Sequence, residues 1–189
     1  NYQLHANIGL SIPTGSIDDE DTILAPNNMT PTLRLPYPMQ LGSGTWDLEP
    51  GITYVGHSDT LGWGVQYKAV FRIGDNSENY TLGDKHSLSS WGSFDLADWV
   101  SASLRLNYTD QDEIDGIDSK IVAPVQTADP RNSGGERWDL GVGFNFVGSD
   151  EFSGHRLALE YEWTIDQHVN GVQMEMQDML TLGYQFAWD

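Results

Sequence analysis

Asp47 and Glu49 stand two residues apart, interleaved with Trp46, Leu48, Pro50, Ile52 and Tyr54. On a strand this spacing puts both carboxylates on one face and the apolar residues on the other. Paired carboxylates can do acid–base work, but a glycosidase sets its pair across a cleft. These two share one strand. The Ser-rich "HSLSSWGS" has no nucleophile elbow. His5, His57, His86, His155 and His168 are scattered, with no H-x-x-x-H pair. The sequence therefore points away from an enzyme and towards charges that line a surface. A turn near residues 58 and 59 places Glu49 opposite Lys68 and Arg72 diagonal to Asp47. Opposite charges across a strand pair contribute about 0.2–1 kcal/mol. By the same alternation Arg105, Asp139, Arg156, Glu160 and Glu162 join this face. Two readings of the set stay open: an ion-pair network that holds the structure, or a charged constriction that selects solutes.

Two kinds of metal ligand also occur. "DDED", Asp18 to Asp21, and "DQDEIDGID", Asp110 to Asp118, cluster the oxygen ligands that Ca²⁺ takes. In the second, Asp110, Asp112, Asp115 and Asp118 resemble a Ca²⁺-binding EF-hand loop. Asp115 falls one place late there, and no Glu follows at the twelfth position. Met174 and Met176, with His168 nearby, offer thioether ligands suited to Cu(I), and on a strand they share a face.

Composition bounds the partners. The chain has 189 residues, 28 acidic against 9 basic side chains, and a net charge of −19. That charge argues against nucleic acid and anionic membrane surfaces. There is no cysteine, so no disulfide and no thiolate metal site. No apolar run approaches the roughly 18 residues of a transmembrane helix. Mean hydropathy is −0.42. That average suits a soluble protein, but a transmembrane barrel conceals its apolar residues by alternating them.

The elements that position these residues read as strands. Period-two alternation covers residues 2–12, 46–54, 63–73, 100–108, 138–146, 157–165 and 180–188, and more weakly 86–96. The connections alternate in length. Residues 13–44, 74–85 and 109–136 are long, whereas 57–61 and 96–99 are short. Long loops on one side and short turns on the other belong to outer-membrane barrels. A soluble β-sandwich, or a lipocalin-like barrel, has no reason to sort its loops this way. The fold class expected is all-β, an antiparallel transmembrane β-barrel with about eight strands here, in a single domain over residues 1–189. Aromatics at the ends of the apolar faces, including Tyr2, Trp46, Tyr54, Trp63, Tyr108, Trp138, Trp163 and Trp188, fit interfacial girdles.

The segments "SIPTGSID", "LPYPMQLGSGTWDLEPGITYVG", "YTLGDKHSLSSWGSF", "DWVSASLRLNY", "TADPRNSGGERWDLGVGFNF" and "GHRLALEY" together resemble a family of Gram-negative outer-membrane β-barrel proteins. The family is labelled transporter or phenol-degradation meta-pathway-like protein. The resemblance covers almost the whole chain. It implies a bacterial outer-membrane location, with membrane lipid, lipopolysaccharide and small solutes as partners. Members carry a further N-terminal part rich in His and Met, so the chain is expected to be the C-terminal portion of a larger barrel, completed by that part or by a partner chain. Family chains tend to end on an aromatic; "LGYQFAWD" keeps Phe186 and Trp188 but ends in Asp189.

The function expected is passage or binding of small solutes through a charged lumen with an acidic outer mouth. Five carboxylates, Asp47, Glu49, Asp139, Glu160 and Glu162, would face Arg72 alone near that mouth, with Lys68 and Arg105 deeper. The alternative is a structural surface barrel without a channel, or one binding a divalent ion or copper.

Overall fold

A computed structural model describes residues 1–24 and 28–188; residues 25–27 of the first long connection and the terminal Asp189 lie outside it. Its strands in chain order are β1 (Tyr2–Ser11), β2 (Glu20–Thr22), β3 (Thr32–Arg34), β4 (Trp46–His57), β5 (Leu61–Ile73), β6 (Tyr80–Thr81), β7 (Lys85–Ala97), β8 (Val100–Gln111), β9 (Asp115–Gly116), β10 (Gly135–Val147), β11 (His155–Val169) and β12 (Asp178–Phe186). The eight alternating segments all form strands, and they make one antiparallel sheet in the order β1-β4-β5-β7-β8-β10-β11-β12. Each strand pairs with its neighbours along the chain, so the sheet is a meander. Among the described residues the outer edges of β1 and β12 carry no partner strand.

The sheet is inside-out relative to a soluble protein. Its apolar face is exposed, with Ile8 at 74% and Leu182 at 69% of full exposure. The buried hydrophobic residues described are Ile17, Tyr37, Ala69, Tyr80 and Ala123. All but Ala69 lie outside the eight-stranded sheet. A β-sandwich would bury this face against a second sheet; among the described residues none covers it. The accessible surface is 12449 Å², against about 9,000 Å² for a soluble monomer of this mass.

That face is banded. Tyr2, Tyr54 and Trp63 cluster at the short-turn end, with ring centroids 5.3–6.2 Å apart. Tyr108 and Trp138, 4.6 Å apart, mark the other end, and Tyr161 and Trp163, 5.9 Å apart, lie inside it opposite Val142 and Leu140. Leucine, isoleucine, valine and phenylalanine fill the interval. Trp46 and Tyr54 bound it on β4, separated by about 26 Å at strand rise, which matches an apolar band of about 25 Å. Beyond the upper aromatics the outer face turns polar. His86 pairs across from Asp110, Asp110 from Glu136, and Glu136 from His168. A bulge opposite Trp138 and Asp139 lets Ile165 slip out of register, so Asp166 rather than Ile165 faces Trp138. One extra residue thus switches β11 from apolar to polar on its outer side, where the band ends.

One register differs from expectation. Asp47 faces Arg72 directly, and Gly51 rather than Glu49 faces Lys68. The turn is centred one residue later than the sequence suggests, closed by the Ser58 amide donating to the Leu61 carbonyl. A two-residue slip keeps every side chain on its face, so the assignment to faces survives while the pairs change.

Candidate functional site: the polar face and its cap

The polar face is built from alternate residues of adjacent strands, and its charges are mostly paired. Asp47, 1% exposed, accepts hydrogen bonds from Thr45 Oγ1 at 2.6 Å and Ser43 Oγ at 3.0 Å, and pairs with Arg72. Arg105 Nε donates to Glu160 Oε2 at 3.0 Å. Asp139 accepts from Arg137 Nε and from Thr164 Oγ1, both at 2.8 Å. Glu162 accepts from Asn107 Nδ2 at 2.6 Å, and Arg156 donates to Asn145 Oδ1 at 2.8 Å. Glu49 and Lys68 are exposed on the same face and form no ion pair with each other.

Alternation therefore places the nine expected residues on one face, but it misses two cations. Arg137 and Lys85 belong there as well, at the first turns of β10 and β7. The visible alternation begins at Trp138, one residue after Arg137. Extending the Asp139–Gly141–Gly143 series back by two positions would have reached it. Six of the nine basic residues thus lie on this face: Lys68, Arg72, Lys85, Arg105, Arg137 and Arg156. They roughly balance Asp47, Glu49, Asp95, Asp139, Glu160 and Glu162. The expected excess of five carboxylates over one Arg is corrected accordingly, and the excess negative charge lies in the connections and at the outer rim of the strands.

Two hollows open on this face. One of about 390 Å³ lies among residues of β7, β8, β10, β11 and β12, so the sheet curves around its polar side. The other, about 510 Å³, lies between the long-connection end of the strands and residues 37–42. The first long connection therefore folds over that end.

The long connections join into a cap. β2 pairs with β3 within the first, and β6 of the second pairs with β9 of the third. At their meeting point sits Arg34, 6% exposed. Its guanidinium reaches Asp118 at 3.4 Å and Glu20 and Glu78 at 3.6 Å. Tyr37 and Tyr80 pack edge to face at 4.9 Å, and the Asp118 amide donates to Tyr37 Oη at 3.1 Å. The fourth connection docks by Asn170, Val172 and Gln173 on the 132–134 segment.

The cap accounts for several residues first read as metal ligands. Asp118, 1% exposed, accepts from Arg34 and from the Lys120 amide. Asp110 ends β8 on the outer face, and Asp115 lies in β9. Among the described residues no group of three or more His, Asp or Glu side chains is placed to hold a metal ion. Met174 and Met176 lie in a connection rather than on a strand, and Met174 is 96% exposed.

The cap carries a pH signature. The hydrogen bond from Lys120 holds the Glu78 carboxyl below the usual range, with Arg34 adding to it. Burial raises the phenols of Tyr37 and Tyr80. A lowered carboxyl stabilises the fold above its unfolded pKa, and that stability is lost as pH falls through the folded value. A raised phenol leaves stability intact below its unfolded pKa and removes it as pH climbs towards the folded value. The cap should therefore be tightest between about pH 5 and pH 9. Leu24→Cys and Val122→Cys give two exposed labelling sites in a chain without native cysteine. Spin-label distances between them should be narrow at neutral pH and broaden below about pH 4 and above about pH 10. Distances unchanged across that range would rule this out.

No protein-family model and no curated protein matches the sequence. Among solved structures the chain is similar to an outer membrane channel from Pseudomonas putida F1, at 16% identity and a TM-score of 0.64. The match covers 98% of this chain and 59% of the channel, so this chain spans well under two thirds of that protein's length. At that identity the likeness concerns the fold alone: an all-β antiparallel sheet.

Proposed function

We propose that this chain forms part of the wall of a Gram-negative outer-membrane β-barrel that passes small solutes along its polar face. The observation that carries the reading is one sheet with an exposed, girdled apolar face and a charge-paired polar face. Lipid contact requires the first and a water-filled lumen the second. In hydrocarbon the free backbone groups of β1 and β12 must be satisfied. Further strands, or a partner chain, would complete the ring. More than eight strands leave room for a path, since eight are just filled by side chains.

Selectivity at the mouth should come from the connections. Asp18, Glu20, Asp21, Asp112, Glu113 and Asp115 are exposed there. Their field concentrates cations over about 8–10 Å at physiological salt. In planar bilayers the protein should conduct and favour K⁺ over Cl⁻. Neutralising Asp18, Asp21, Glu113 and Asp115 together should shift the reversal potential towards zero more than neutralising Asp139, whose charge Arg137 already balances. An anion-preferring protein would overturn this. The cap favours a second reading, a surface barrel whose mouth is closed, and a folded, inserted protein without conductance would support it.

A further inference from the structure

We infer that the hollow in the polar face binds a small zwitterion, a molecule with one carboxylate and one ammonium such as a free α-amino acid. The inference rests on the solute-passage reading and names its substrate class. The hollow measures about 390 Å³, within the range of small-molecule sites.

Its walls carry charge of both signs: Arg105 and Arg156 against Glu160. Arg156 is exposed, donates only to the Asn145 amide oxygen, and meets no carboxylate among the described residues. Next to Glu160, outside the lining itself, Glu162, 7% exposed, accepts from Asn107 and has no cation in ion-pair reach among the described residues. Beside it Glu160 uses one oxygen for Arg105. Gly141 leaves room between them: a Cβ there would stand 3.6 Å from both glutamates. A buried carboxylate without a cation is costly, and an ammonium would relieve it.

The spacing suits a compact head group. Arg156 and Glu160 are four residues apart on β11, but the Arg156 side chain leans to Asn145, which pairs with Ala158. That brings the guanidinium within about 7 Å of the Glu160 level at strand rise. Two charge-assisted hydrogen bonds of about 2.8 Å and an α-amino acid head fill such a gap. Trp91 gives the side chain of the ligand an apolar wall. It is the one large aromatic in the Ser87–Ser89–Ser93 series of β7, lies against the bare backbone of Gly64, and has the Arg105 guanidinium 5.8 Å from its ring centre. A zwitterion also carries no net charge for the acidic connections to repel. A sugar would leave the spare charges unpaired.

The test uses the full chain refolded in detergent micelles and isothermal titration calorimetry. L-leucine should bind saturably, at least about tenfold tighter than 4-methylpentanoate, which lacks the ammonium, or 3-methylbutylamine, which lacks the carboxylate. Arg156→Gln should erase the preference over the amine, and Glu160→Gln the preference over the acid. Arg131→Gln, in an exposed connection, should change neither. Circular dichroism confirms that each variant is folded. Equal binding of the acid and leucine, absence of heat with leucine, or an unaffected Arg156→Gln would overturn the site. Leucine binding without bilayer conductance would uphold the site and retire only the passage reading. Conductance without leucine binding would do the reverse.

Discussion

Replacing Leu140 or Phe144 with Arg should prevent the chain from entering a bilayer. Both lie midway along β10 on the apolar face, with Leu106 and Trp163 flanking Leu140, and Ala102 and Leu159 flanking Phe144. An Arg at the midplane of a barrel's lipid face costs about 2–4 kcal/mol, a large share of the 5–15 kcal/mol that holds a typical domain. Gly141→Ser, one residue away on the polar face, is the control. A Cβ there meets only ordinary contacts at 3.5–3.6 Å, so it should insert normally. Heat-modifiable migration after refolding into liposomes reads both. Normal insertion of the Arg variants would mean that the apolar face is not the lipid face.

The second large effect concerns Arg34. Arg34→Met leaves Asp118, fully buried, facing apolar surroundings with its cation gone. Removing one partner of a buried ion pair typically costs about 3–5 kcal/mol. The cap should loosen while the sheet, which shares none of these contacts, stays intact. Protease added outside intact cells should then cut within residues 112–134 much faster than in the native chain, with the short turns 58–60 and 98–99 still protected. Restoring apolar balance with Asp118→Leu should recover part of the resistance. Equal cutting rates in native and variant chains would show that Arg34 does not hold the cap.

These two cases also show what a sequence reveals of such a molecule. The β10 assignment was legible because alternation is local: Leu140, Val142 and Phe144 announce their face through their immediate neighbours. The face of Asp47 and Arg72 was legible for the same reason. Their direct opposition was not, because it depends on a turn whose centre shifts with one hydrogen bond. Arg137 escaped by standing just outside the alternating run. The cap was not legible at all. Arg34 and Asp118 lie 84 positions apart, and nothing near Asp118 distinguishes an ion-pair partner from a ligand in a solvated acidic loop. Its short strands β6 and β9 are two residues each, too brief for any period to show.

The stitching of the connections bears on how this surface can change over time. Barrel loops usually vary freely, since each answers only to its own strand ends. Here a deletion near Asp118 would unseat Arg34 in another loop, and a change at residues 132–134 would release the fourth connection. Variation should therefore be correlated across four connections rather than independent. The tip at Met174 and Glu175 is different, being bound on either side by Gln173 and by Met176, whose amide and carbonyl both bond the Gln167 side chain. It is the place where a foreign peptide could be carried without disturbing the rest.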